Sequence, residues 1–389
     1  MPVEALLILL PLAVLSGWWI GRRRISGVDD DTSGDFSSRY FQGLNYLLNE
    51  QPDKAIEVFV KMIEVDKDTV ETHFTLGNLF RKRGEVDRAI RVHQNLIART
   101  SLTVQHREQA LYELGLDYMG AGILGRAEAL FLELIETESE KVQALKQLLD
   151  IYQQERDWEK GVAILQKYES ATGKSQKPII AHFYCELAEE AKHKGDEALV
   201  RSSLKEALSY DKNCVRACLL EGEIEMTSGQ YEAAMQAYKN VELQDPDYLP
   251  EIIAPLLICA EKLGKEVELI QYFREVLDRH DGISVMLALA DLIKTQHGDE
   301  EAITFIVEQL RKRPSVRGLN HLIELSLIST EGSAKDNLLL LMDLTTTLLE
   351  NKAVYKCHQC GFKGKSMHWL CPGCNRWNSI KPIQGVEGE

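Results

Sequence analysis

The chain has 389 residues, of which 44% are hydrophobic and 27% charged, and its formal net charge is −15 at pH 7. This composition supports a packed core and excludes wholesale disorder. The acidic balance argues against nucleic acid as a partner, because binding to phosphates requires a basic face. Leu, Ala, Glu, Lys and Gln dominate the middle of the chain, so we predict a mainly α fold.

The first predicted element is a transmembrane anchor over residues 1–24. Val3–Ile20 is a mainly apolar segment with a single charge, Glu4, and as a helix it has about the length needed to cross a hydrocarbon core of about 30 Å. Arg22–Arg24 follows it, and the positive-inside rule then predicts that the rest of the chain faces the cytoplasm. A cleaved signal peptide, with its basic residues before the apolar run, or a buried core helix is the alternative. Residues 25–35 are predicted to be a polar linker.

Residues 36–350 are predicted to form about nine helical pairs, the last three of them degenerate. The first helices of six units align on a small residue at intervals of 34 to 39 residues: Gly43, Gly77, Gly115, Leu149, Ala188 and Gly222. Twelve residues later come Ala55, Ala89, Ala127, Gly161, Val200 and Ala234, and four further on Phe59, His93, Phe131, Leu165, Leu204 and Tyr238. This period resembles the tetratricopeptide repeat family, whose units stack into a superhelix, although Leu149 departs from its pattern.

The turns between helices are predicted at six glycines: Gly84, Gly122, Gly195, Gly229, Gly264 and Gly298. Gly120–Gly125 matches the G-x-G-x-x-G pattern of dinucleotide-binding proteins, but it follows a predicted helix instead of a strand. We therefore interpret it as an inter-helix turn. His73 and His93 occupy repeat positions and are predicted to pack. No catalytic constellation stands out, so we predict that the chain is not an enzyme.

A tetratricopeptide superhelix presents a concave groove that typically binds peptides. The candidate partner-binding residues on the groove-lining helices are Phe74, Asn78, Arg81, Tyr112, Leu116, Met119, Arg216 and Leu219. For any one of them, a solvated or packing role is the alternative.

Four cysteines near the end of the chain form two C-x2-C pairs: Cys357, Cys360, Cys371 and Cys374. Two such pairs at this spacing predict a tetrahedral four-thiolate site for one metal ion, with Zn²⁺ favoured over iron. The pairs resemble the two knuckles of rubredoxin, with Asn375 where that family usually has glycine. The remaining cysteines, Cys185, Cys214, Cys218 and Cys259, are predicted to be core residues.

Residues 351–389 are therefore predicted to be a small rubredoxin-like zinc ribbon. Residues 351–382 contain no Asp or Glu but carry six basic residues, which could dock on the acidic repeats or meet anionic lipid headgroups. Tyr355, Phe362, Trp369 and Trp377 are expected to supply its small core. A closed structural clip is favoured, while iron-based electron transfer and nucleic-acid binding remain alternatives.

The order of anchor, repeats and ribbon resembles the lipopolysaccharide assembly protein B family of Gram-negative bacteria. The resemblance rests on that architecture, on the RRR after the apolar run, and on the CHQCGF and CPGCNRW knuckles.

The resemblance implies a non-enzymatic inner-membrane adaptor that faces the cytoplasm and regulates lipopolysaccharide biosynthesis. Its implied partners are the membrane AAA+ protease FtsH, the lipid A pathway deacetylase that FtsH degrades, and an inner-membrane lipopolysaccharide-sensing regulator. A homo-oligomer is possible. The alternatives are a general scaffold for envelope assembly enzymes and an iron redox protein.

Overall fold

The computed structural model describes residues 31–65, 70–137, 139–350, 352–386 and 388. The predicted anchor, including Val3–Ile20 and Arg22–Arg24, lies outside this part of the chain, as do residues 25–30 of the predicted linker. Among the helices that are described, none combines the length and the apolarity needed to cross a bilayer. The first described helix begins at Asp31, so residues 31–35 are helical and the prediction of a linker extending to residue 35 is wrong at that end.

The chain divides into two compact units between Glu155 and Arg156. The division falls within the fourth predicted repeat, in which Leu149 replaces the small residue. The helices of the first unit are α1 (Asp31–Leu48), α2 (Pro52–Val65), α3 (Val70–Lys82), α4 (Val86–Ile97), α5 (Val104–Gly120), α6 (Leu124–Leu134) and α7 (Lys141–Glu155).

The second unit contains further helices and a small sheet. Its helices are α8 (Trp158–Thr172), α9 (Lys177–Lys194), α10 (Glu197–Tyr210), α11 (Val215–Thr227), α12 (Tyr231–Gln244), α13 (Leu249–Leu263), α14 (Glu266–Arg279), α15 (Ile283–His297), α16 (Asp299–Lys312), α17 (Val316–Ser329) and α18 (Ser333–Glu350). A 3-10 turn, Pro246–Tyr248, precedes α13. The fold is therefore mainly helical and tetratricopeptide-like, with a small C-terminal sheet.

The repeat pattern is explained by close approach within each helical pair. A Cβ atom added at Gly43, Gly115 or Gly222 would lie 2.6 Å from the ring of the aromatic residue sixteen positions later. These glycines therefore let the second helix of each pair pack directly against the first. The positions twelve residues after the small residue are buried as predicted, with Ala55, Ala89, Ala127 and Ala234 fully so.

The predicted turn glycines end the first helix of their pairs. Gly84, Gly122, Gly195, Gly229, Gly264 and Gly298 all have a positive φ, between 67° and 99°, a conformation that glycine adopts without a steric penalty. Gly120 is the last residue of α5 and Gly122 lies in the turn before α6. The G-x-G-x-x-G pattern thus follows a helix, which confirms the prediction of an inter-helix turn.

Both repeat-position histidines are buried and packed, as predicted. His93 is fully buried, and its Nδ1 lies 2.5 Å from Asp117 Oδ2 on α5. His73 Nε2 lies 2.7 Å from a guanidinium nitrogen of Arg99. The first contact joins successive repeats, since Asp117 lies on the next pair, and the second holds the two helices of one repeat together.

The C-terminal sheet has three short antiparallel strands in the order β2-β1-β3. They are β1 (Tyr355–Cys357), β2 (Lys363–Gly364) and β3 (Ile380–Pro382). In the register, Lys356 pairs with both Lys363 and Lys381, and Cys357 pairs with Ile380. We call residues 352–386 the ribbon, and its strands bring the two cysteine pairs together.

Replacing Gly222 by Ala tests the close approach of α11 and α12. The added methyl group would meet the Tyr238 ring at 2.6 Å, and relief of such overpacking typically costs about 1–3 kcal/mol. We expect urea denaturation to give a free energy of unfolding lower by that amount. The matched control is Gly125→Ala, where an added Cβ has no heavy atom within 4 Å; equal effects of the two changes would contradict the packing argument.

Candidate metal centre and the aromatic contact beside it

Each cysteine pair is held by the same tight turn. The residue after the second cysteine has a positive φ, 79° at Gly361 and 51° at Asn375. Its amide donates a hydrogen bond to the carbonyl of the first cysteine, at 3.0 Å for Gly361 to Cys357 and 2.8 Å for Asn375 to Cys371. Asn375 therefore adopts a left-handed conformation at the position where rubredoxin usually has glycine, and asparagine tolerates this conformation better than most residues.

The four thiols have the geometry of a tetrahedral metal site. Sγ of Cys357 lies 3.8 Å from Sγ of Cys374, and Sγ of Cys360 lies 3.7 Å from Sγ of Cys371. All four sulfur atoms lie within 4.8 Å of one another. Zn–S bonds of about 2.3 Å give a tetrahedron edge of about 3.8 Å, so the four cysteines fit one metal ion. Four thiolates fill a tetrahedral coordination shell.

The surroundings of Cys357 favour its thiolate form. Burial opposes ionisation, but the contact with the Ser379 hydroxyl and the hydrogen bonds donated by the amides of Cys360 and Gln359 outweigh it and lower the pKa of the thiol to about 5. The Gln359 amide lies 3.3 Å from the sulfur, and the Ser379 hydroxyl lies 3.4 Å from it. Because a metal binds the thiolate, this arrangement lowers the proton competition at neutral pH.

Two tryptophans flank the second cysteine pair and point at the helices of the same unit. Trp377 stacks on His182 of α9 at 5.3 Å between ring centroids and 23° between planes. It also meets Phe183 edge-to-face at 5.7 Å. Trp369 stacks on Tyr248 at 5.5 Å and 23°. The knuckle that holds Cys371 and Cys374 thus fixes both indoles against the repeats.

The positions of the two indole rings differ from those predicted from the sequence. Trp369 and Trp377 were predicted to fill the core of the ribbon, but they pack outward on the repeats. The core of the ribbon is instead formed by Cys357, Cys371 and Ile380, with partly buried residues around them: Tyr355, Phe362, Met367 and Cys374. The prediction is therefore right for Tyr355 and Phe362 and wrong for the two tryptophans.

Arg216 lies beneath the two indoles. Its side chain is 3% exposed and pairs with Glu186 at 2.8 Å and Glu189 at 2.9 Å. Its guanidinium carbon lies 6.0 Å from the Trp369 ring and 5.9 Å from the Trp377 ring. The prediction that Arg216 lines a groove open to partners is wrong in this structure, because the chain's own ribbon covers it.

Polar contacts surround this aromatic cluster. The Tyr248 hydroxyl lies 3.0 Å from both Asn378 Oδ1 and the Ile380 carbonyl. Lys381 Nζ pairs with Asp245 at 2.7 Å and with Asp247 at 2.9 Å. Of the two binding surfaces considered for the basic ribbon, acidic repeats and anionic lipid, the structure shows the ribbon docked on the repeats.

Two residues of the repeats that contact the ribbon were not identified from the sequence. Tyr248 and His182 both contact Trp369 of the ribbon, yet neither occupies a repeat position that the alignment used. The signal available was the Asp245-Pro246-Asp247 sequence, whose acids complement Lys381, but we interpreted Asp245-Pro246 only as the end of a repeat.

The other candidate groove residues lie mostly in the first unit. Phe74 is 6% exposed and packs against Leu96 and Ala110, so it is a core residue and not an accessible groove residue. Arg81 pairs with Glu113 at 2.6 Å and Asp117 at 2.7 Å.

The remaining candidates are only partly accessible. Asn78 accepts a hydrogen bond from Arg81 at 2.7 Å. Tyr112, Leu116 and Met119 are half-buried on α5, and Leu219 is half-buried on α11 beside the Trp369 cluster. Their role in binding a partner stays a prediction.

The four other cysteines are buried and unbridged, in agreement with the prediction of core residues. Cys185 and Cys214 lie 3.8 Å apart, sulfur to sulfur. Cys218 and Cys259 are likewise enclosed by helices of the second unit.

Known proteins match both parts of the described chain. The family described as rubredoxin metal binding domain matches residues 355–382, and the tetratricopeptide repeat family matches residues 72–108 and 215–248. Lipopolysaccharide assembly protein B of Escherichia coli K12 is 38% identical over 387 residues, covering 99% of this chain and 100% of that protein. The protein of that name from Haemophilus influenzae is 36% identical and covers 99% of both chains. The crystal structure of MamA protein is similar with 20% identity and a TM-score of 0.35, covering 46% of this chain and 94% of that one.

The pH dependence of stability tests the burial of His182. Burial, together with the charge of Arg216, lowers its pKa to about 3, against about 6.5 in an unfolded chain. Between these values the unfolded state binds more protons, so this contribution is complete above pH 6.5 and is lost as the pH falls towards 3. We expect the free energy of unfolding to fall between pH 7 and pH 5.5 by up to about 1.4 kcal/mol per pH unit.

His182→Phe keeps a ring in the stack and removes the titration, so it should flatten that part of the profile. The control is His193→Gln, which changes an exposed histidine on the same helix and should leave the slope unchanged. Urea denaturation at each pH, with metal content measured in parallel, gives the slopes. Equal slopes in His182→Phe and the unaltered chain would contradict a neutral, buried His182.

Proposed function

The chain belongs to the lipopolysaccharide assembly protein B family, and from that premise we propose that it is a non-enzymatic adaptor in lipopolysaccharide assembly. It is anchored in the inner membrane and holds its repeats in the cytoplasm. It brings the lipid A pathway deacetylase to the membrane protease FtsH and thereby limits lipopolysaccharide synthesis. An inner-membrane regulator that senses lipopolysaccharide sets how strongly it acts.

The proposed organisation places an anchor at residues 1–24, repeats at 36–350 and the ribbon domain at 351–389. The anchor is supported by the apolar run Val3–Ile20 and by the Arg22–Arg24 that follows it, since positive charge flanks the cytoplasmic end of membrane helices. Residues 25–30 then connect the anchor to α1.

The observation that carries the adaptor proposal is the union of a helical repeat array with a closed four-thiolate clip. Tetratricopeptide arrays bind protein segments on extended surfaces. The clip has four protein ligands for one ion, and a metal site without an open position holds shape instead of activating a substrate. Zinc suits this role, and iron is the alternative ion.

The partner surface is proposed on α3 and α5 of the first unit, where Asn78, Tyr112, Leu116 and Met119 remain partly accessible. The corresponding residues of the second unit lie at or under the ribbon, as Arg216 does. Tethering to the membrane that also holds FtsH raises the effective concentration of the two proteins, so weak contacts suffice.

The half-life of the deacetylase after a block of translation tests this function. Depletion of the chain should lengthen that half-life, and re-expression should restore it. Tyr112→Ala with Met119→Ala should fail to restore it, while Leu243→Ala, which truncates an 81% exposed side chain, should succeed. An unchanged half-life together with impaired lipopolysaccharide assembly would reject the protease adaptor in favour of a general scaffold for envelope enzymes.

A further inference from the structure

The last helix of the array exposes a row of leucines. On α18, Leu340, Leu341, Leu344 and Leu348 are each between 49% and 59% exposed. The side of α18 that faces α17 is formed by Leu338, Met342, Thr345 and Leu349, which are buried or half-buried. The exposed leucines therefore form a second apolar face, and clustered apolar exposure of this kind marks an interaction site.

This face lies where the repeat architecture would place another helix. The second helices α12, α14 and α16 each pack between the first helix of their own pair and the first helix of the next. Within the described residues, α17 is the helix that packs extensively along α18, and no further pair follows. A repeat array requires its terminal face to be polar or covered, because each unit buries its apolar surface only against a neighbour.

The spacing of the exposed residues is that of a helix-pairing seam. Ala334, Asn337, Leu341, Leu344 and Leu348 follow one another at alternating steps of three and four residues. An apolar repeat averaging 3.5 residues lets two helices pack side by side along their length. The one polar member, Asn337, is of the type that fixes alignment in paired helices.

The charges of α18 lie away from this seam. Asp336, Asp343 and Glu350 recur every seven residues and so share a different side of the helix. Lys335 is the one basic residue of α18. A helix that lies on anionic lipid carries Lys and Arg on its polar side, so this acidic side disfavours a membrane surface as the occupant. An uncharged seam fits another uncharged seam.

We propose that the occupant is a second copy of this chain, with α18 of one copy packed against α18 of the other about a two-fold axis. An isologous interface needs one self-complementary patch, and the leucine seam is such a patch. The chain's own ribbon does not serve as the occupant, because it already packs on the surface around His182 and Tyr248 while the leucines remain exposed.

The mass of the full-length protein in detergent tests the proposal. Native mass spectrometry should give twice the chain mass, falling to one chain mass in the double variant Leu341→Glu with Leu344→Glu. The matched control is Leu243→Glu with Val267→Glu, which charges two side chains that are 81% and 70% exposed elsewhere in the unit and should leave the doubled mass unchanged. The proposal is overturned if the unaltered protein has the mass of one chain, or if the seam variant still has the mass of two chains.

A crosslinking variant keeps the test decisive if the charged variant does not fold. Leu344 is the middle one of the three seam leucines, so in either helix direction Leu344→Cys should join two chains through a short bismaleimide. Leu339→Cys, at a 43% exposed position off the seam, should not. Native vesicles should give the same result. Absence of crosslinking at residue 344, or equal crosslinking at residue 339, overturns a pairing through this face. If vesicles protect the Leu344→Cys thiol from a thiol reagent and no crosslink forms, lipid is the occupant and the proposal is likewise overturned.

Discussion

Two tryptophans of the ribbon cover a buried arginine of the repeats, and this contact joins the ribbon to the array. The position of the ribbon and the burial of the arginine both depend on it. Arg216 is almost wholly removed from water, a costly state for a cation unless charges and rings surround it. Glu186 and Glu189 supply the carboxylates on the array side, and Trp369 and Trp377 cover the cation from the ribbon side. Removing the ribbon would therefore expose the apolar walls and half of the environment of this charge.

The metal site matters because it holds the two indoles at a fixed separation. Trp369 precedes the second cysteine pair and Trp377 follows it, and the Asn378 amide donates to the Trp369 carbonyl at 2.8 Å. A domain this small has too little apolar core to fold unaided, so the ion and the contact with the repeats must supply the rest. The four cysteines thus have a structural role, because the metal they bind fixes the position of the two indoles. A structural role agrees with a protein that binds other proteins.

The repeats and the metal ligands were predictable because local spacing determines them. Gly222 and Tyr238, or Cys357 and Cys360, reveal their roles at fixed intervals, and the structure places each pair in contact or in the same turn. The docking of the ribbon was not predictable in this way. Trp377 and His182 are separated by nearly two hundred residues, and the local sequence around either residue does not predict their contact. Burial of Arg216 and Phe74 likewise follows from tertiary packing, whereas repeat position alone had indicated the open groove.

Hydrogen exchange of the full-length protein before and after removal of the metal by a chelator tests the central claim most directly. If the metal holds the indoles against the array, its loss should increase exchange at the amides of α9 and α11, around His182 and Arg216, while α3 and α5 of the first unit change little. Unchanged exchange in α9 and α11, with the metal shown to be absent, would contradict the account.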